Sequence, residues 1–181
     1  MRRMLSIVTA ALVLLTVSAN GQGPLRFGQF WGTWVHRVEV GPGAHMPGLI
    51  TLHIDGSVTG GSGLMFGGVP NAPNRYGPVH GVWERTGWRT IGATTIFTVY
   101  NALTGVLSGY QRDRCSLEFS QDFNSYKGTE FMETIACETP TSCPNPLDPT
   151  LKWTPLPTMP STGFQVSATR VIRLDAGPLN P

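Results

Sequence analysis

Charged residues are scarce in this chain, and lysine is scarcer still. Asp, Glu, Lys and Arg together make up 13% of the 181 residues, about half the share that is usual in soluble proteins. The lysines are only Lys127 and Lys152. Such a chain lacks the clustered positive charge that drives counterion release from nucleic acid or attraction to anionic lipid. Nucleic acid is therefore not an expected partner.

Long amphipathic helices are missing as well, and so are the sequence signatures of common active sites. The chain has no Gly-x-Ser-x-Gly elbow and no His-Glu-x-x-His pair. Residues 60–63 (Gly-Gly-Ser-Gly) resemble a phosphate loop only superficially, because neither a lysine nor a helix follows them. The three cysteines match no zinc motif. We expect neither a cofactor nor a metal ion.

The N-terminus has the layout of a secretory signal peptide. Arg2 and Arg3 precede a mostly apolar run over residues 5–17, which is shorter than the about 20 residues of a membrane-spanning helix. Small residues follow, and we predict cleavage after Ala19, with Gly21 as the alternative position. An uncleaved membrane anchor is the competing interpretation. The layout predicts export to the periplasm or secretion, without stable membrane insertion after cleavage of residues 1–19.

After this segment the chain is rich in turn formers and in alternating apolar and polar residues. It contains 22 glycines and 15 prolines without a collagen-like repeat, and its aromatic and β-branched content is too high for a disordered protein. Short alternating runs of this kind are typical of β-strands. We predict a single all-β domain over residues 30–174, preceded by a lead-in over residues 20–29 and followed by a tail over residues 175–181.

Eight alternating segments follow one another, mostly with hairpin-type connections. Residues 138–163 interrupt them with seven prolines, and such a stretch does not fit inside a sheet, so we predict a Pro-rich surface insertion before the last strand. Eight antiparallel strands can close into an up-and-down barrel with room for one small ligand. The predicted strands are Phe30–Val40, Leu49–Ile54, Ser57–Gly63, Val79–Glu84, Arg89–Tyr100, Val106–Ser120, Tyr126–Cys137 and Phe164–Leu174.

Cysteine spacing suggests one disulfide bond. Cys137 and Cys143 flank a short loop, and an exported protein meets the oxidising conditions in which such bonds form. Cys115 lies in the middle of a predicted strand and would then be a buried free thiol. The odd number of cysteines leaves other pairings open.

The first and last strands carry the clearest family resemblance. Gly32-x-Trp34 at the head of the first strand resembles the opening motif of lipocalins and related calycin barrels. The resemblance implies that Trp34 closes one end of the barrel and that Arg170 of the last strand packs on it as a cation–π pair. Further segments look like those of exported bacterial lipocalin-like proteins, and they cover residues 51–56, 78–87 and 169–172.

Histidines and aromatic residues are the first candidates for contacts with a ligand. His36 alternates with Trp34 and Val38 on the face that is predicted to look inward, although a core histidine bonded to a neighbour is the competing interpretation. The face of His80 is ambiguous, because Gly81 and Trp83 form the alternative inward set. The candidate ligand-binding residues are His36, His80, Trp83, Phe97, Tyr100 and Glu133.

Two carboxylates also share faces with apolar residues. Asp113 alternates with Cys115, and Glu133 alternates with Phe131 and Ile135. A carboxylate on an inner face is costly unless it is paired, and it would then serve as a ligand acceptor or, with a raised pKa, as a general acid. The alternative is that each strand bulges there and lets the carboxylate reach the rim.

These patterns predict an exported β-barrel that binds a small apolar or amphipathic molecule, with the loop over residues 66–78 as a lid on its mouth. One alternative is a barrel enzyme of the isomerase or cyclase type, which needs only a shaped interior and one acid or base. Another is a filled barrel that acts as a surface interaction module through its Pro-rich insertion. The patterns make no prediction about the oligomeric state.

Overall fold

The computed structural model describes residues 29–66 and 72–171. The predicted signal peptide, nearly all of the lead-in and the tail lie outside the described residues. Within them, no helix is long and apolar enough to cross a membrane; a short 3-10 helix spans Gly63–Phe66. The strands are β1 Gly32–Gly41, β2 Ala44–Leu52, β3 Ser57–Ser62, β4 Asn74–Tyr76, β5 Val79–Arg85, β6 Thr90–Asn101, β7 Leu107–Phe119, β8 Ser125–Ala136, β9 Thr154–Pro155 and β10 Phe164–Arg170.

Eight of these strands close into an antiparallel barrel. They follow one another in the order β1-β2-β3-β5-β6-β7-β8-β10, and β10 pairs with both β8 and β1. Closure removes the free edges that would expose unpaired backbone groups. The all-β, eight-stranded barrel predicted from the alternating segments is therefore confirmed.

The short strands β4 and β9 extend the sheet of the barrel at one end. β4 pairs with the last residues of β6, beside the region that pairs with β5, and the N–H of Gly77 donates to the carbonyl oxygen of Thr98 between the two. β9 pairs with Glu133 and Thr134 of β8, beyond the reach of β10. Part of the predicted loop over residues 66–78 is thus strand; residues 67–71 lie outside the described part of the chain.

The second strand is longer at its start than the sequence predicts. A tight turn at Pro42 and Gly43 allows β2 to begin at Ala44 rather than Leu49, and Gly43 has the positive φ of 70° that this turn requires. Pro47 is accommodated inside β2, opposite Arg37 of β1. At the other end, β2 stops at Leu52 rather than at the predicted Ile54, which is 73% exposed in the following turn.

One end of the barrel is filled by aromatic side chains, which we call the closed end. Trp34 is fully buried there, and its ring centroid lies 5.1 Å from that of Phe119 and 5.2 Å from that of Tyr126. Phe30 packs from below, 5.0 Å from Phe119 in an edge-to-face arrangement. The Arg170 guanidinium covers the Trp34 ring at 4.7 Å, the arrangement that the family resemblance implies.

The opposite end, which we call the mouth, carries both long connections. The direction of the strands places the 3-10 helix Gly63–Phe66, which follows β3, and residues 137–163, between β8 and β10, at this end. The β1–β2 and β6–β7 turns lie there too. Variable loops at one end of a rigid barrel are a common place for binding sites, so the mouth is the natural entrance to the interior.

The Pro-rich segment over residues 138–163 is attached to the wall at several points. The predicted disulfide between Cys137, just after the end of β8, and Cys143 closes a short loop at the start of the segment. Cys115 is a free cysteine. Farther along, the ring of Trp153 stacks on Arg112 at 4.5 Å. Leu156 and Met159 pack against the barrel core. The disulfide agrees with folding in an oxidising environment.

Candidate functional site

A cavity lies inside the barrel between the closed end and the mouth. Its volume is about 60 Å³, which leaves room for a few water molecules or for one small organic group. It is narrow compared with the pockets that hold drug-sized ligands.

The cavity wall is apolar on one side and polar on the other. The apolar side is formed by β2, β3 and β5, whose inward side chains include Ile50, Leu52, Val58 and Val79. The polar side faces it across the barrel from β1, β6, β7 and β8. Its polar inward side chains and thiol are those of His36, Thr95, Gln111, Asp113, Cys115, Tyr126 and Glu130, and the apolar Val38, Ala93, Phe97 and Leu117 of the same strands also line the cavity.

Strict alternation along the strands places these polar groups inside. On β7, Gln111 and Asp113 are buried while Arg112 and Arg114 point outward. Asp113 stands directly opposite Thr95 of β6 in the strand register. Since side chains of directly opposed residues lie on the same face of a sheet, the two groups meet in the cavity wall.

His36 lies at the centre of a buried hydrogen-bond chain. Its Nδ1 is 2.8 Å from the Tyr126 hydroxyl oxygen, and its Nε2 is 3.1 Å from Oε2 of Glu130. Burial, and then the nearby Cys115 and Glu130, raise the pKa of Tyr126 well above its usual value, so the phenol keeps its proton. The geometry fits an imidazole that accepts from Tyr126 at Nδ1 and donates to Glu130 from Nε2.

Asp113 is the second acid of this polar wall, and it is only 3% exposed. Burial, followed by the charge of the facing Glu130, raises the pKa of Asp113 well above its usual value. Gln111 donates from Nε2 to Oδ1 of Asp113 at 2.8 Å. Burial thus favours the protonated form of Asp113.

The thiol of Cys115 completes the group. Its Sγ lies 3.6 Å from Oε2 of Glu130. Burial and the neighbouring acids raise the pKa of Cys115 well above its usual value. A thiol held neutral in this way is a poor nucleophile, so Cys115 acts as a weak hydrogen-bond donor rather than as a reactive group.

Two of the predicted ligand contacts line the cavity, and three others do not. His36 and Phe97 are in its wall. Trp83 belongs to the closed end, where its Nε1 donates to the carbonyl oxygen of His53 at 2.8 Å and its ring lies 6.0 Å from that of Phe30. Tyr100 follows an irregularity in the pairing of β6 with β7 and is outside the cavity wall. His80 is exposed on the outer face of β5.

The expected inward position of Glu133 is wrong. Glu133 is on the outer face of β8, where Arg112 and Arg114 approach its carboxylate at 2.7 Å and 3.1 Å. Glu133 is little exposed because these two arginine side chains cover it. Arg112 and Glu133 are directly opposite each other in the register of β7 and β8 and therefore lie on the same, outer face. The carboxylate inside is Glu130, which the sequence reasoning missed.

A signal for Glu130 was present in the sequence. Tyr126, Glu130 and Met132 are separated by even numbers of residues and are all buried on the inner face. The apolar Phe131 instead suggested that the face it shares with Glu133 is the inner one. In the structure Phe131 is covered from outside, close to Gly163 at the end of the Pro-rich segment. The interpretation that Asp113 reaches the rim is likewise wrong, since β7 stays regular around it.

No group of three or more described His, Cys, Asp and Glu side chains is arranged to hold a metal ion. No protein-family model matches the chain, and neither the curated proteins nor the solved structures contain a match to it. Its likeness to lipocalins therefore rests on its own motifs and on a closed barrel that is compatible with the lipocalin fold.

Proposed function

We propose that this protein binds a small amphipathic molecule inside its barrel, as an exported member of the lipocalin-like calycin barrels. The observation that carries the proposal is the division of the cavity wall into an aliphatic side and a hydrogen-bonding side. A molecule with an apolar body and one polar group would satisfy both sides at once. Burial of its apolar surface supplies affinity, at about 25 cal/mol per Å², and the polar wall sets its orientation.

The location of the cavity supports this function. Apolar side chains separate the cavity from the closed end. The mouth, on the other side of the cavity, carries the long connections of the barrel. The interaction-module alternative would need a filled interior, whereas the interior holds a cavity of about 60 Å³. The small volume restricts the ligand, or the part of it that enters, to a few non-hydrogen atoms.

Acid–base catalysis of the isomerase or cyclase type is the second candidate function. The specific observation in its favour is Asp113, an acid kept protonated by burial, next to the His36–Glu130 pair. In a site that excludes water, a protonated acid can donate a proton to a bound substrate, and a neighbouring base can accept one from it. This function requires the same binding event, so binding is tested first.

Two neighbouring residues of β6 provide a matched test. Ala93 lines the cavity, while Thr94 faces outward. Ala93→Leu would fill the cavity with three more carbon atoms, and Thr94→Leu would add a similar group to the outer surface. Binding of small apolar and amphipathic probes, among them butan-1-ol, butylamine and toluene, is measured by saturation-transfer NMR and calorimetry.

We expect the wild-type protein and Thr94→Leu to bind at least one probe and Ala93→Leu to bind at least tenfold more weakly. Thermal unfolding of both variants shows whether the barrel is folded. Absence of binding by the wild-type protein across the panel, together with no co-purified small molecule in native mass spectrometry, would refute the proposal.

A further inference from the structure

We propose that the cavity selects a small apolar amine in its ammonium form, which donates hydrogen bonds to Asp113, Gln111 and Thr95. This inference rests on the proposed binding function and specifies the chemical class of the ligand. It depends on three features of the polar wall: the sign of its charge, its unused hydrogen-bonding groups and their spacing.

The sign of the charge favours a cation. Two carboxyl groups, those of Asp113 and Glu130, line the cavity, and no lysine or arginine is among its described lining residues. Arg112 and Arg114, which flank Asp113 on β7, are on the outer face and are bound to Glu133. In a low-dielectric interior, a further anion such as a fatty-acid carboxylate would be strongly disfavoured, whereas an ammonium group would compensate the carboxyl pair.

The polar wall also has hydrogen-bonding capacity that the described residues do not use. Thr95 is only 6% exposed and lines the cavity, yet its side chain forms no hydrogen bond with any described residue. Gln111 donates its amide N–H to Asp113, but its Oε1 accepts no hydrogen bond in the described part of the chain. Buried polar groups are normally paired, so open groups in a cavity wall mark where a ligand would bind.

The spacing of these groups suits an ammonium ion. Thr95 is directly opposite Asp113 on the neighbouring strand, and Gln111 is bonded to Asp113 at 2.8 Å. An ammonium group has three hydrogen-bond donors and no acceptor. The Asp113 carboxylate, the Gln111 carbonyl oxygen and the Thr95 hydroxyl are three neighbouring acceptors on one patch of wall, while the aliphatic wall opposite receives the apolar part.

Binding would move one proton. Burial raises the pKa of Asp113 and favours its protonated form in the free protein; a bound ammonium group would favour the carboxylate, and the proton would then pass to the solvent. No covalent bond forms or breaks in the ligand. Amine affinity should therefore rise from weakly acidic to neutral pH. The titratable groups in and around this site are Glu130 and Tyr126 on β8, Cys115 on β7, Tyr76 on β4 and His36 on β1.

Three probes with the same carbon chain test the charge preference. Butylamine, butan-1-ol and butyrate each contain four carbon atoms and are, at neutral pH, a cation, a neutral molecule and an anion. Calorimetric titration of the purified protein should show butylamine binding at least tenfold more tightly than the other two. Titrations in buffers with different ionisation enthalpies should report the release of about one proton for each bound amine.

Asp113→Asn keeps the shape of the side chain and removes its charge. We expect it to weaken butylamine binding by about tenfold or more, to abolish the proton release and to change butan-1-ol binding by a smaller factor than butylamine binding. Glu84→Gln removes an exposed carboxylate on the outer face of β5 and is the matched control. Thr95→Val provides a second variant if Asp113→Asn does not fold, with a smaller loss of butylamine affinity.

The outcomes separate this inference from the proposed function. Butan-1-ol or butyrate binding as tightly as butylamine would overturn the amine preference and leave the binding function in place. The same holds if only uncharged probes of the wider panel bind and Ala93→Leu blocks them. If no probe binds, both proposals fail.

Discussion

The guanidinium group of Arg170 lies over the indole ring of Trp34, with its Cζ 4.7 Å from the ring centroid. The two residues are also direct partners in the register of β1 with β10. This contact therefore joins the first and last strands of the barrel and covers the closed end. Arg170 donates in addition to the main-chain carbonyl oxygens of Gln29 and Trp31, which fixes the segment that precedes β1.

Arg170→Lys should destabilise the barrel although the charge is kept. Lysine lacks the planar guanidinium group, which stacks on Trp34 while its Nη2 donates to the carbonyl oxygens of Gln29 and Trp31. We expect the free energy of unfolding to fall by about 1–2 kcal/mol, measured by urea denaturation. Arg37→Lys on the outer face of β1 is the control, and its effect should stay within about 0.5 kcal/mol. Equal losses in both variants would show that the stacking contributes nothing.

Phe119→Ala should cause the larger loss at the same end. Phe119 is 1% exposed and its ring contacts those of Phe30, Trp34 and Tyr126. Truncation of a buried phenylalanine costs about 3–5 kcal/mol through lost burial and the cavity left behind. Chemical denaturation measures this loss, and Leu103→Ala, at a residue that is 96% exposed, should change stability little. A loss below that of Arg170→Lys would contradict the assigned importance of the aromatic cluster.

The closed end could be predicted from the sequence because it depends on motifs with a fixed position in the chain. Gly32-x-Trp34 opens the first strand, and Arg170 falls on the apolar side of the last alternating segment. When the strand order follows the chain and the sheet closes, the first and last segments must meet. Strand periodicity places Arg170 on the inner face, and the family resemblance implies that it packs on Trp34.

The polar wall of the cavity could be predicted only in part. His36 was found because its strand has one charged and one apolar face, so alternation decides its side. On β8 both faces carry large apolar residues, since Phe131 is covered from outside near Gly163, and alternation cannot separate Glu130 from Glu133. The facts that decided the question are contacts distant in sequence, namely His36 with Glu130 and Arg112 with Glu133.

Asp113 should make the stability of the protein depend on pH in an unusual direction for a carboxyl group. Its pKa is raised in the folded state by burial and then by Glu130. The protonated acid stabilises the fold; this contribution is complete below the unfolded pKa of about 3.9 and is lost as pH rises through the folded pKa.

The test compares wild-type protein with Asp113→Asn across the range from pH about 4 to neutral. The variant does not titrate at this position, so its free energy of unfolding should decline less with rising pH than that of the wild-type protein. Glu84→Gln, at an exposed outer position, should follow the wild-type curve. Parallel curves for wild type and Asp113→Asn would mean that Asp113 has no raised pKa in the folded protein.

Trp153→Ala should loosen the Pro-rich segment while leaving the barrel intact. Trp153 stacks on Arg112 of β7, and the N–H of Leu156 donates to the carbonyl oxygen of Met132 of β8 at 2.9 Å, so these contacts fix residues 153–156 to the two strands. Without the indole, the free energy of local opening should fall by the contribution of a partly exposed cation–π contact, about 0.5–1 kcal/mol. Hydrogen exchange at the Leu156 amide should therefore speed up by about two- to fivefold, while amides in β6 and β7 keep their rates.

Leu147→Ala, at a residue that is 76% exposed, should leave the Leu156 exchange rate unchanged. Unaltered exchange in Trp153→Ala would show that the segment is fixed by its other contacts, those of Leu156 and Met159 with the core.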